Sequence, residues 1–267
     1  MVEAVRVYLL LAGTWMRSAA QYPASMVMLV ATQAVATSLD LAAILIIFAH
    51  TPRLGGFSLP EVMFLYGTAG VSFAVADVTL GTSERLGEHI RQGTLDTLLV
   101  RPVGPLVQIA TEDFSPRRMG KLVPTVTVLV VSLVRLPIAW TPVRVMAVPL
   151  MIACGIWIFG ALWVLTAAWQ FAVVDGKQAG NSVTYGGAYL TQYPLSLFGR
   201  DALRGLTWVL PLAFVNWEPA LYVLRRADPL GLPVFFRFAA PLVAAVLSVL
   251  AALAWRTGLR HYRSTGS

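Results

Sequence analysis

Charge is what this chain has least of. Asp, Glu, Lys and Arg make up 12% of its 267 residues, against roughly 25% in an ordinary soluble domain. That shortage excludes a soluble globular protein with a fully hydrated surface. Cysteine is almost absent: Cys154 stands alone in an apolar segment. No disulfide framework and no cysteine-based metal site can be built from it, and its expected role is packing. The three histidines, His50, His89 and His261, lack metal-ligand spacing. A G-x-x-x-x-G-K-[ST] loop is missing, so the chain has no P-loop to hold nucleotide phosphates. A G-x-S-x-G elbow and a paired-aspartate motif for prenyl transfer are also missing, which argues against a membrane-embedded enzyme. Repeats, low-complexity tracts and long linkers are lacking too, so residues 1–267 read as one domain. Near the N-terminus, Arg6 and a short apolar run over 7–12 are followed by Trp15, Met16 and Arg17 before any adequate hydrophobic region, so no removable signal peptide is expected.

What is abundant is apolar surface. The chain is 57% hydrophobic with mean hydropathy +0.71, the composition of an integral membrane protein. Its 20 Lys and Arg against 13 Asp and Glu give a net charge of +7. The basic residues flank apolar spans and form no long run, so the positive-inside rule accounts for them and nucleic acid is not an expected partner.

A bilayer core about 30 Å thick needs about 20 apolar residues of helix. By that ruler residues 24–48, 59–80, 119–136, 145–169 and 238–255 are spans. The region 181–224 admits two readings. In one, a weakly apolar fifth helix over 181–198 is followed by a re-entrant or interfacial hairpin containing Pro211, Glu218 and Pro219. In the other, 206–224 is the fifth span. Both give six spans and place the two termini on one side. Twelve of the twenty basic residues then lie on the inner side, which puts both termini in the cytoplasm. Ahead of the first span, Val5, Leu9, Ala12 and Met16 recur at helical spacing with Arg6 and Arg17 nearby, as in an interfacial helix over 2–20.

The densest signals lie between the second and third spans. Ser83 is expected to cap a helix carrying Glu84, with Leu86 and Ile90 four apart on one face. Gly93 interrupts it. Thr94 is expected to cap a second short helix with Asp96 in its first turn and Leu95, Leu98 and Leu99 as apolar contacts, ended by Pro102 and Pro105. Those leucines either dock on a partner or pack on the chain's own helix ends, while Gln108, beyond both prolines, is expected to stand apart from the contact.

The run Glu84-Arg85, Gly93-Thr94-Leu95-Asp96, Leu98-Leu99, Arg101-Pro102-Val103 and Pro105 resembles the loop of permease subunits of type-2 ABC exporters. Gln192-Tyr193-Pro194-Leu195-Ser196 and Pro211 to Asn216, ending near Pro219-Ala220, are similar to later segments of one branch of that family. Leu86 stands where the family usually has a second acidic residue, and Gln192 where the branch often has a basic one. The resemblance implies two six-span permeases, identical or paralogous, carrying two cassette ATPases that bind ATP and Mg. It also implies that Glu84, Arg85, Gly93, Thr94, Leu95, Asp96, Leu98, Leu99 and Pro102 belong to a coupling helix, and that a re-entrant extracellular hairpin follows span five.

The expected function is therefore the permease of an exporter in the cell membrane, with no cofactor of its own and a lipophilic or amphipathic substrate. An ion-coupled transporter using Asp40 is the alternative from another class. Ionisable residues within spans are costly and often functional. Asp40 is expected to line a polar pathway, bind a cationic group, pair with a partner arginine or simply hydrogen-bond between helices. Asp77 is expected to snorkel to the inner interface, and Glu218 to meet water. Trp157, Phe159, Trp163, Trp169, Met26 and Met28 read as packing or interface residues. Gly70 and Ala74 form a small-xxx-small face suited to helix packing or a dimer seam.

Overall fold

The computed structural model describes residues 2–112 and 115–263. Helix α1 (Val2–Ala20) turns at Gln21 and Tyr22 into α2 (Pro23–His50), with Pro23 at the first helical position, where a missing N–H costs nothing. The next helix, α3 (Leu59–Leu80), opens on Ser58, whose backbone N–H and hydroxyl both donate to Glu61 at 2.7 and 2.8 Å. It runs through a 3-10 turn (Gly81–Arg85) into α4 (Leu86–Arg91). The short helices α5 (Thr94–Leu99), α6 (Pro105–Thr111) and α7 (Pro116–Met119) lead to α8 (Leu122–Arg135), α9 (Pro142–Trp169) and α10 (Lys177–Thr191). Two further short helices, α11 (Arg200–Trp208) and α12 (Trp217–Val223), precede α13 (Ala240–His261). Among the described residues there is no β-strand, only an isolated bridge between Leu54 and Phe57.

Among the described residues, four helices are long and apolar enough to cross a membrane: α2, α3 with its continuation to Arg91, α9 and α13. The other two expected spans are shorter. α8 and α10 have 14 and 15 residues, or about 21 and 22 Å at 1.5 Å per residue. The region after α10 is broken, and 206–224 is not one helix. Pro211 lacks the N–H that a continuing helix needs, and Asn216 leaves helical geometry at φ −149°.

Most of α3 is buried, and it packs against α8 and α9, while α9 packs against α13. Two glycines allow the approach to α8. A Cβ on Gly67 would sit 2.7 Å from the Leu129 Cα, and one on Gly70 would sit 2.6 Å from Thr125 Cγ2. The Gly70 face is thus used within the chain. Trp163 and Phe159 join this core, and Cys154 is buried there too, whereas Trp157 and Met28 are exposed. By contrast α2 shows an apolar exposed face that includes Val27, Met28, Leu39 and Ile46.

Candidate functional site: an elbow of short helices, a polar corridor and a buried carboxylate

The elbow between α3 and α8 is built from short helices that prolines and one glycine delimit. Gly93 has φ +67°, the left-handed region that favours glycine, and stands at the N-cap of α5. Thr94 is therefore the first helical residue instead of the cap, and its Oγ1 lies 2.9 Å from His89 Nδ1. Ser83 does not cap a helix either. It lies inside the 3-10 turn that prolongs α3, and its hydroxyl donates to the Leu80 carbonyl at 2.6 Å.

Several contacts pin the elbow to the bundle. The Gly87 N–H donates to Gln170 Oε1 at 2.7 Å, Lys177 donates to Glu88 at 2.7 Å, and Arg85 donates to the other Glu88 oxygen at 3.1 Å. His89 Nε2 lies 2.7 Å from Glu112. Gln108 is buried, and its Nε2 donates to the carbonyls of Leu98 and Val103 at 2.8 and 2.6 Å. It holds the end of α5 in place. Leu95 and Leu98 turn inward, whereas Leu99 and Val100 are 41% and 85% exposed. The outward apolar tip is thus Leu99-Val100, flanked by exposed Arg101 and Pro102. Near this elbow lies Tyr262, just past the end of α13. Burial and the neighbouring Asp96 push its hydroxyl above the ordinary tyrosine value.

Asp77 does not snorkel; its side chain is 1% exposed. Lys121 Nζ donates to Asp77 Oδ2 at 2.7 Å, and Arg118 pairs with the other oxygen while reaching Glu84 at 3.4 Å. The Lys121 ammonium also stands 4.8 Å from the Phe73 ring centroid and 5.1 Å from that of Tyr185, within cation–π range. Around this cluster opens a cavity of about 540 Å³ that reaches Glu84, Arg85 and Arg117. A second cavity, about 190 Å³, is lined by Asp40, Thr37 and Gln192. Gln33, Lys121, Tyr185 and Tyr189 line both. The two together make a polar corridor between α2, α3, α8 and α10. Asp40, half-buried within it, makes no hydrogen bond or ion pair among the described residues.

At the far end of α3, the Asn216 amide donates to the carbonyls of Leu65 and Thr191 at 3.0 and 2.9 Å, fastening the segment before α12 to α3 and α10. Arg226 grips Glu61 through Nε and Nη2 at 2.9 and 2.7 Å, a bidentate fork. Glu218 does not meet water. It is fully buried, and neither carboxylate oxygen has a hydrogen-bond partner. Burial and the nearby Asp228 charge push it up to about 7 against the opposing pull of Arg237.

The sequence alone names Glu84, Arg85, Asp40, Asp77 and Glu218 as candidates but not the partners of Asp77, because Lys121 is 44 positions away. Among the described residues, no group of His, Cys, Asp and Glu is suited to hold a metal ion.

No curated protein and no solved structure matches the chain. A family model described as ABC-2 family transporter protein matches residues 34–266, which takes in the elbow, most of the corridor and the buried Glu218 on α12. Permeases of this family are transport subunits that work with ATPase partners. The match covers most of the sequence and agrees with the several apolar helices, and the chain therefore belongs to the ABC-2 transporter family as a multi-pass membrane permease.

Proposed function

We propose that this chain is the membrane-spanning subunit of an ATP-driven exporter of lipophilic or amphipathic compounds. Two copies, or this chain and a paralogue, carry two cassette ATPases, which hold ATP and Mg. Both termini face the cytoplasm, α1 lies along the inner leaflet, and α8 and α10 complete six crossings. The region 195–224 forms a re-entrant hairpin at the outer face.

The observation that carries this reading is the physical connection between elbow and corridor. Arg118 contacts Glu84 of the elbow and Asp77 at the base of the corridor, while the Leu99-Val100 tip projects outward from the same elbow. A push on that tip by an ATPase reaches the polar wall through packed helices and charged contacts. Coulomb interactions in such a partly buried cluster are only weakly screened by salt, so the connection persists at physiological ionic strength.

The test is affinity purification of the chain co-expressed with a cassette ATPase from the same operon, followed by Mg-ATP-driven uptake of lipophilic cations, anions and neutral compounds into inside-out vesicles. The expected result is a stoichiometric complex with ATP-dependent transport. Transport by the permease alone, driven by an ion gradient, would establish the ion-coupled alternative and overturn the proposal. Orientation is checked in a Cys154→Ala background, where a cysteine at Gln92 is expected to label only from the cytoplasm and one at Gly55 only from outside.

A further inference from the structure

A slot of about 430 Å³ opens between α9 and α13, bordered by Thr79 and Leu80 of α3, and shares no lining residue with the polar corridor. Its wall on α9 includes Gly160 and Ala161, and its wall on α13 includes Ala251 and Ala252, with Trp157 and Trp255 also lining it. Small side chains at these facing positions leave room that larger ones would fill. The neighbouring Val249, Leu250 and Leu253 are exposed and apolar, as expected where helices long enough to span face hydrocarbon. Ser248, Ala252 and Arg256 recur every four residues along the α13 side of the slot, a stripe about 12 Å long at 1.5 Å per residue.

The two ends of this stripe differ in chemistry. Arg256 is exposed and has no hydrogen bond or acidic partner among the described residues. It lies toward the end of α13 that approaches the coupling elbow, and Leu106 of α6 also lines the slot. An apolar recess in a lipid-facing wall that ends in an unpaired cation matches a molecule with a hydrocarbon tail and an anionic head. Cationic side chains between helices near the inner surface attract anionic lipid head groups. A recess that no chain atoms fill loses dispersion contacts on one side, and an acyl chain would restore them.

We propose that this slot is a binding site for an anionic phospholipid of the leaflet next to the elbow, with an acyl chain between α9 and α13 and the phosphate on Arg256. Such a lipid would brace α9 against α13 beside the coupling elbow without entering the corridor.

The experiment uses the chain in nanodiscs containing phosphatidylglycerol or phosphatidylcholine, each with the same photoactivatable acyl chain. Labelled peptides are then mapped by mass spectrometry. The expected result is a preference of roughly fivefold for phosphatidylglycerol at the α9 and α13 positions, the size of effect one cation near a membrane surface supplies. Arg256→Gln, an exposed change, should bring labelling down to the phosphatidylcholine level, and Ala252→Trp should abolish it for both lipids. Equal labelling by the two lipids with no effect of Arg256→Gln would mean ordinary boundary lipid and would overturn the proposal. Absence of lipid label from the slot in the unaltered chain, as when a second copy covers it, would overturn it as well.

Discussion

Lys121 Nζ donates to Asp77 Oδ2 at 2.7 Å, joining the start of α8 to the C-terminal end of α3 across 44 positions of sequence. Arg118 takes the remaining oxygen, so one buried carboxylate balances two cations beside the corridor. Removing its charge leaves Lys121 without a carboxylate and Arg118 with only its 3.4 Å contact to Glu84. Asp77→Asn is expected to destabilise the protein by on the order of 3 kcal/mol, as when one partner of a buried ion pair is lost. Adding Lys121→Gln should recover part of that loss. Thermal unfolding of the two single variants and the double variant checks this, and additive effects would show that the pair is not coupled.

The tip and the inward face of α5 should respond differently to the same substitution. Leu99→Asp and Val100→Asp place a carboxylate in water on the free permease, but bury it unpaired if an ATPase groove covers the tip, which costs several kcal/mol. These variants are expected to fold normally and to lose ATPase co-purification. Leu98→Asp instead puts the charge inside the elbow and should lower the melting temperature of the permease by itself. Retained ATPase binding in both tip variants would remove Leu99 and Val100 from the interface.

Gln108→Ala tests whether the elbow must be rigid. The substitution strands the carbonyls of Leu98 and Val103, with a cost of about 1–3 kcal/mol for a buried polar group left unpaired. Faster amide hydrogen exchange across 94–103 is expected, with transport reduced more than subunit assembly. Unchanged exchange over those residues would show that α5 is held without Gln108.

Asp40 faces the corridor with no partner of its own in the described chain. Asp40→Asn keeps the size and hydrogen-bonding capacity of the side chain while removing its charge. If Asp40 receives a cationic group, export of lipophilic cations should fall severalfold while export of neutral compounds and complex assembly stay intact. Equal transport of cations and neutral compounds by wild type and variant would end this role.

Glu218 supplies a pH dependence with a definite sign. Burial raises its carboxyl to about 7 from an ordinary 4.5, so the folded protein binds this proton more tightly than the unfolded chain does. Its contribution to stability is complete below about pH 4.5 and is lost as the pH rises through about 7. Glu218→Gln, which stays neutral, should melt higher than wild type at pH 8 and show a flatter stability profile between pH 5 and pH 8. Identical slopes in thermal unfolding would assign the pH dependence to other groups.

Much of this protein follows from local features of its sequence. Sustained apolar runs with few charges determine α2, α3, α9 and α13, because a helix that hides its own backbone polar groups is what such a run can form in lipid. Prolines and Gly93 divide the elbow into short helices through backbone sterics alone. The sequence of 181–224 admits two readings because its apolar content suits a span while Pro211 and Asn216 interrupt it, and only packing shows how the pieces settle against α3 and α10. Tertiary structure also decides which α5 leucines face inward, that Asp77 is buried between Arg118 and Lys121, and that Glu218 has no hydrogen-bond partner. Those outcomes depend on side chains brought together from distant positions, and burial and pairing are properties of that assembled neighbourhood, which no local spacing encodes.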